Sequence, residues 1–144
     1  MSTPYSNEIL ISIRKKWVDL IRSGQKIDEI RKTCPARMSA TPFYRVFIYQ
    51  TGGGGVVGTF ILRKVTYVQA YVDTDGFKHL TNTIFLRHCV DDYELFEYLY
   101  NENSRKSGGW AWRISELQMF EKPMKLERFG LKRPPQSWQY VNFI

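Results

Sequence analysis

The chain has 144 residues, of which 43% are hydrophobic and 15% aromatic, values that fit one folded domain and exclude a globally disordered chain. Its 21 basic and 14 acidic residues give a net charge of +7, which favours a polyanionic partner, nucleic acid above all. No apolar run is long enough to span a membrane, and no secretion signal precedes Cys34 and Cys89. We therefore expect reduced thiols in a cytoplasmic protein.

The first seven residues are expected to form a flexible lead-in, and residues 8–144 a single domain. Short runs rich in β-branched and aromatic residues then recur along the chain and predict strands. The run at 56–72 makes one bent strand or two, with a bulge expected at Gly58. The predicted strands are 8–13, 27–31, 45–50, 56–72, 110–120 and 137–141.

Helical spacing appears first in residues 14–23, where Trp17, Leu20 and Ile21 form one apolar stripe. Gly24 follows directly, at the position where a helix ending in a left-handed residue prefers glycine. The sequence therefore predicts a helix of under three turns, and LERFG near the C-terminus predicts one further helical turn.

A helical insert is predicted around residues 80–103, as one helix or two short ones. Ile84, Phe85 and His88 share one helical face, and Asp91 has the position and chemistry of an N-cap. Residues 36–42 are expected to form a loop, and residues 101–109 a flexible link.

Two candidate sites are excluded by their spacing. The run TGGGGVVG lacks the lysine and the following helix of a phosphate-binding loop, so a hairpin turn is expected there. The two histidines and two cysteines show no metal-ligand spacing, so neither a metal site nor a cofactor is expected.

Charge is concentrated in GQKIDEIRK, where a strand places Glu29 and Arg31 on one face, two residues apart. With Lys26 they form either a solvated edge or an ion-paired cleft, because three charges cannot be buried unpaired in a small domain. Aromatic residues alternate with basic ones elsewhere, as in Trp138 with Arg133, a pattern typical of base stacking and phosphate binding as well as of a core.

The segment SGQKIDEIRK resembles the motif SG-x-K-x-x-E-x-R-[KR] of the ASCH superfamily, whose fold is PUA-like. The tail from WRIS through KPMKL to RPPQSWQYV resembles that of a bacterial and phage-type subgroup. The resemblance implies an α+β domain, a PUA-like mixed β-barrel with two to three flanking helices. The motif positions matched are Ser23, Gly24, Lys26, Glu29, Arg31 and Lys32.

The resemblance also implies a charged cleft that binds RNA or a modified nucleotide, lined by Lys26, Glu29 and Arg31 of the motif. As a binding module, the protein would hold phosphate with Lys26, Arg31 and Arg133, and Trp138 or a tyrosine would stack a base.

Three alternatives accompany this interpretation. A metal-independent ribonuclease would use Glu29 as base, Lys26 or Arg31 as cation and Ser137 or a tyrosine as an assisting group. The family's N4-acetylcytidine amidohydrolase is disfavoured, since Glu29 stands where that branch has threonine. A protein partner could instead dock on the tyrosines of the 64–72 strand or on the insert at 80–103.

Overall fold

The structure is a computed structural model that describes residues 7–36, 38, 42–104 and 107–143. The predicted lead-in, apart from Asn7, therefore lies outside the described residues. So do residues 37 and 39–41 of the predicted loop, and residues 105–106 of the predicted link.

Nine strands, two α-helices and two turns of 3-10 helix make up the described part of the chain. The helices are α1 (Lys15–Arg22) and α2 (Asp92–Leu99), and the 3-10 turns are Thr83–Phe85 and Leu126–Phe129. The strands are β1 (Glu8–Ile13), β2 (Asp28–Arg31), β3 (Tyr44–Gln50), β4 (Gly55–Leu62), β5 (Val65–Val72), β6 (Lys78–Leu80), β7 (Ser107–Arg113), β8 (Ser115–Met124) and β9 (Trp138–Val141).

The strands form two sheets. A five-stranded sheet has the order β8-β4-β3-β1-β9 and is mixed, because β1 and β3 run parallel. A four-stranded antiparallel sheet has the order β2-β7-β5-β6. Besides the crossings before and after β2, the chain passes from one sheet to the other at two neighbouring corners, between Leu62 and Val65 and at Ile114, where Arg113 N donates to Lys64 O at 3.1 Å.

The hydrophobic core has three parts, arranged as layers around the sheets. The main part lies between the sheets and includes alternate residues of β1 together with Val18 and Ile21 of α1. The second lies between the four-stranded sheet and α2, and the third lies beneath the 3-10 turn at Leu126–Phe129. Both faces of β1 are therefore covered, which explains why its sequence is apolar almost throughout.

Most predicted elements are present near their predicted bounds, and one predicted strand is divided differently. The run at 56–72 is two strands, and the ladder between β4 and β8 shifts register between Val56 and Gly58, as the expected bulge requires. The predicted single strand at 110–120 is instead parts of β7 and β8, because the chain turns the corner between the sheets at Ile114.

The predicted helical face in the insert is wrong. The 3-10 turn ends at Phe85, and residues 86–91 are not helical. Ile27 N and Asp28 N donate to Arg87 O at 2.9 and 3.1 Å, and these bonds to the edge of β2 hold the segment extended. Asp91 is the N-cap of α2 as predicted, since its side chain accepts from the N–H groups of Tyr93 and Glu94.

The α+β class is confirmed, but the predicted closed barrel is not. Within the described residues, hydrogen bonding gives two open sheets, and strands β2 and β6 at the edges of the second sheet have only four and three residues. No helix in the described ranges is long and apolar enough to cross a membrane.

Candidate functional site

The charged motif begins at the turn that joins α1 to β2. Gly24 adopts φ +84°, a left-handed conformation that glycine takes without strain. Its N–H donates to Ile21 O at 3.0 Å, and Lys26 N donates to Leu20 O at 3.1 Å. The turn thus reverses the chain against the end of α1 and directs the Lys26 side chain inward.

Lys26, Glu29 and Arg31 form a buried ion triad. Glu29 Oε1 lies 3.3 Å from Lys26 Nζ, and Glu29 Oε2 accepts hydrogen bonds from Arg31 Nε at 2.9 Å and from its Nη2 at 2.7 Å. The side chains are 1%, 7% and 12% exposed, in the order Lys26, Glu29, Arg31. One carboxylate therefore neutralises part of the charge of two cations that water hardly reaches.

Two further groups lie against the Lys26 ammonium. Its ammonium donates to the backbone carbonyl of His88 and lies 5.0 Å from the centre of the Trp17 ring. Burial, followed by the positive charge of Lys26, lowers the pKa of the His88 imidazole. Cys89, which follows, has φ 63°, a left-handed value uncommon for a non-glycine residue.

Arg31 ties the motif to the C-terminal tail. Its Nη2 donates to Ser12 O at 2.6 Å, and its Nη1 donates to Ser137 Oγ at 3.1 Å. Ser12 also bonds the tail directly, because its hydroxyl donates to Pro135 O at 2.6 Å and its N–H to Ser137 O at 2.9 Å. The structure therefore brings Lys26, Glu29, Arg31 and Ser137 together at one place.

Trp138 lies beside this cluster and is partly buried. Its indole N–H donates to Thr33 Oγ1 at 2.9 Å, while the N–H of Trp112 donates to Thr33 O at 3.1 Å. The two indole rings pack edge to face with centroids 5.4 Å apart. Thr33, the first residue after the motif, thus connects the end of the edge strand β2 to both tryptophans.

Two further residues complete the site and were missed by sequence reasoning. Asp28 is 1% exposed and accepts from Arg113 Nε at 2.8 Å and from Arg87 N at 2.8 Å. Tyr98 of α2 lies near Arg31 and Glu29, and burial is the main cause that raises its pKa. For Asp28 the sequence does carry a signal, which is strand alternation. It places Glu29 and Arg31 on one face of β2 and Asp28 on the opposite face. No local pattern indicates that α2 packs beside β2.

Exposed cations lie close in sequence to the residues that make these contacts. Three follow Ser12 at the start of α1, one follows Arg31 directly, and two precede Pro135 in the tail. Arg133 is exposed, and no ion pair involves it among the described residues. We name this surface the basic rim, and it comprises Arg14, Lys15, Lys16, Lys32, Lys132 and Arg133.

The described residues contain no group of three or more histidine, cysteine or acidic side chains placed to hold a metal ion. Both cysteines are free. A groove of about 750 Å³ lies against α2, where it includes Lys32 but none of the three triad residues. The triad thus lies beneath a surface rather than at the bottom of this groove.

No family model and no curated protein sequence matches the chain. Solved structures do. The ASCH protein from Zymomonas mobilis has a TM-score of 0.67 and 22% identity, over 94% of this chain and 88% of that chain. A serine-to-alanine mutant of the same protein has a TM-score of 0.69 and 21% identity, over 97% and 92%.

The chain has an ASCH fold. A tyrosine-to-phenylalanine mutant of the Zymomonas mobilis protein gives the same result, with a TM-score of 0.67 and 20% identity. At this level of identity the likeness shows the PUA-like fold, and the function of this chain must be argued from its own site.

Proposed function

We propose that this ASCH-fold protein binds RNA or a nucleotide at the basic rim. The observation that carries the proposal is the convergence of three basic segments, 14–16, 31–32 and 132–133, around the contacts that Ser12 makes with the tail. Cations from distant parts of the sequence, gathered beside half-buried tryptophans, are the combination that holds phosphates and stacks bases.

The proposal divides the motif into two roles. Arg31, Arg133 and Trp138 meet the ligand, the first two at phosphate and the last at a base. Lys26 and Glu29 are enclosed, so they act by fixing the Arg31 guanidinium and through it the tail.

The test compares two double variants that each remove two positive charges. Arg14→Ala/Arg133→Ala removes two cations of the basic rim. Arg45→Ala/Lys122→Ala removes two exposed cations elsewhere, because Arg45 lies at the opposite end of the five-stranded sheet and Lys122 on its far edge strand.

Binding of a labelled single-stranded RNA is measured by fluorescence anisotropy over a range of salt concentrations. The slope of log K against log salt is negative, and its magnitude should decrease by about 0.7 for each phosphate that the protein no longer neutralises. The rim variant should therefore reduce the magnitude of the slope by roughly 1.4, while the control leaves it unchanged. An equal decrease in both variants would mean that net charge, rather than this surface, attracts RNA.

A metal-independent ribonuclease is the second candidate, favoured by the exposed Ser137 hydroxyl 3.1 Å from Arg31 Nη1. A guanidinium beside a hydroxyl suits a phosphorane, whose negative charge the cation stabilises. Glu29 is a poor base here, since both of its oxygens already face cations. Cleavage of the RNA in EDTA that is abolished in Ser137→Ala would support this activity, whereas binding without cleavage supports an RNA-binding protein.

The amidohydrolase is not favoured by the same geometry. Its lysine must be free to act, whereas Lys26 is 1% exposed and ion-paired.

The proposal places the protein in the cytoplasm, where Cys34 and Cys89 stay reduced.

A further inference from the structure

We infer that two copies of this chain associate through the insert that lies between β5 and β7. Four large apolar side chains there are mostly exposed: Phe77, Ile84, Phe85 and Tyr93, at 67%, 85%, 83% and 65%. We name them the insert patch. Single exposed apolar side chains are common on protein surfaces, but a group of this size in one region marks an interaction surface.

The insert patch has a protrusion beside a depression. A groove of about 340 Å³ is lined by Leu80, Thr83, Tyr93 and Phe96 among others. Ile84 and Phe85 follow Thr83 directly, so the protruding pair stands next to the groove. A two-fold axis places the protrusion of each copy over the groove of the other, as a self-complementary dimer interface requires.

The available area also fits a dimer. An aromatic side chain buries about 150 to 250 Å², so the exposed fractions of the three aromatic residues correspond to roughly 320 to 540 Å² on each copy, to which Ile84 adds its own exposed surface. A stable interface of standard size takes about 800 Å² from each partner. These four side chains therefore supply more than half of it, and the polar rim of the groove can supply the rest.

The charges around the insert patch favour a second copy over nucleic acid. The first turn of α2 carries Asp92 and Glu94 after the N-cap Asp91, and carboxylates there repel phosphate. Lys78 is neutralised by Glu97 at 3.5 Å. Arg87 is exposed two residues after Phe85, so across a two-fold axis it can face the carboxylates at the start of α2 of the other copy.

The test is sedimentation equilibrium of the full chain from micromolar to submillimolar concentration. Wild type should show a monomer–dimer equilibrium. Ile84→Asp/Phe85→Asp should raise the dimer dissociation constant by about thirty-fold or more, as removal of a hot spot does. Phe43→Asp is the matched control, because Phe43 is also an exposed aromatic residue but precedes β3 in the other sheet, and it should leave the constant unchanged.

Hydrogen exchange gives a second readout at the same concentrations. Amides of Thr83–Phe85 and of α2 should become protected as the dimer forms, and protection should be absent in Ile84→Asp/Phe85→Asp. A wild type that is monomeric at every concentration would overturn the inference, and so would a dimer that persists in that variant. Neither result bears on RNA binding, because the basic rim lies on other elements.

Discussion

Glu29→Gln should destabilise the protein far more than the removal of an exposed ion pair of similar length. The substitution keeps the shape of the side chain but leaves Lys26 and Arg31, 1% and 12% exposed, without their counter-charge. Removing one partner of a buried pair costs about 3 to 5 kcal/mol. For a domain of this size that corresponds to a fall in Tm of roughly 10 to 15 °C.

Urea unfolding followed by tryptophan fluorescence measures the change, since Trp112 is fully buried. Lys15→Ala is the control, because the pair between Lys15 and Asp19 spans 2.8 Å with side chains 70% and 46% exposed. Removing that pair should cost about 0.3 to 0.5 kcal/mol. If Glu29→Gln costs no more than Lys15→Ala, then burial does not decide the strength of the triad and the reasoning fails.

Three further predictions follow from single features. The pKa of His88 in the folded protein is lowered from its ordinary value of 6.5. At a pH below 6.5 the unfolded chain therefore binds a proton at His88 more readily than the folded chain does. Stability should therefore be full above pH 6.5 and fall as the pH drops below it, and His88→Gln should flatten this dependence in urea titrations at several pH values. Burial raises the pKa of Cys34, so iodoacetamide should modify the exposed Cys89 first at neutral pH, in peptide mass spectra; equal rates would contradict this. Gly109→Ala should cost about 1 to 3 kcal/mol and shift the amide resonance of Arg31, because the added Cβ would lie 2.6 Å from Arg31 O; an unchanged Tm would show that β2 moves away freely.

The order and type of most elements could be predicted because each carries a local signal. Alternation in β2, helical spacing in α1 and the N-cap Asp91 all depend on residues close together in the sequence. The bend at Ile114 could not be predicted, because both sides of it have strand composition. It depends on how two sheets meet, which is a property of the whole fold.

The site was predictable as a set of residues but not as an arrangement. The motif places Lys26, Glu29 and Arg31 near one another, and the resemblance of the tail indicates that Ser137 and Trp138 belong with them. The depth of the triad does not follow from its charges, because charged residues are usually exposed. Burial follows from segment 86–91 crossing over Lys26, and the sequence predicts part of that segment as helix.

The position of β1 between β3 and β9 has a consequence for synthesis of the chain. One neighbour of β1 begins at Tyr44, but the other, Trp138–Val141, is synthesised much later. Until then an apolar strand has an open edge, which is a hazard for aggregation. The contacts that Arg31 and Ser12 make with Ser137 and Pro135 therefore form only after those tail residues have been synthesised, although the triad residues themselves are made early.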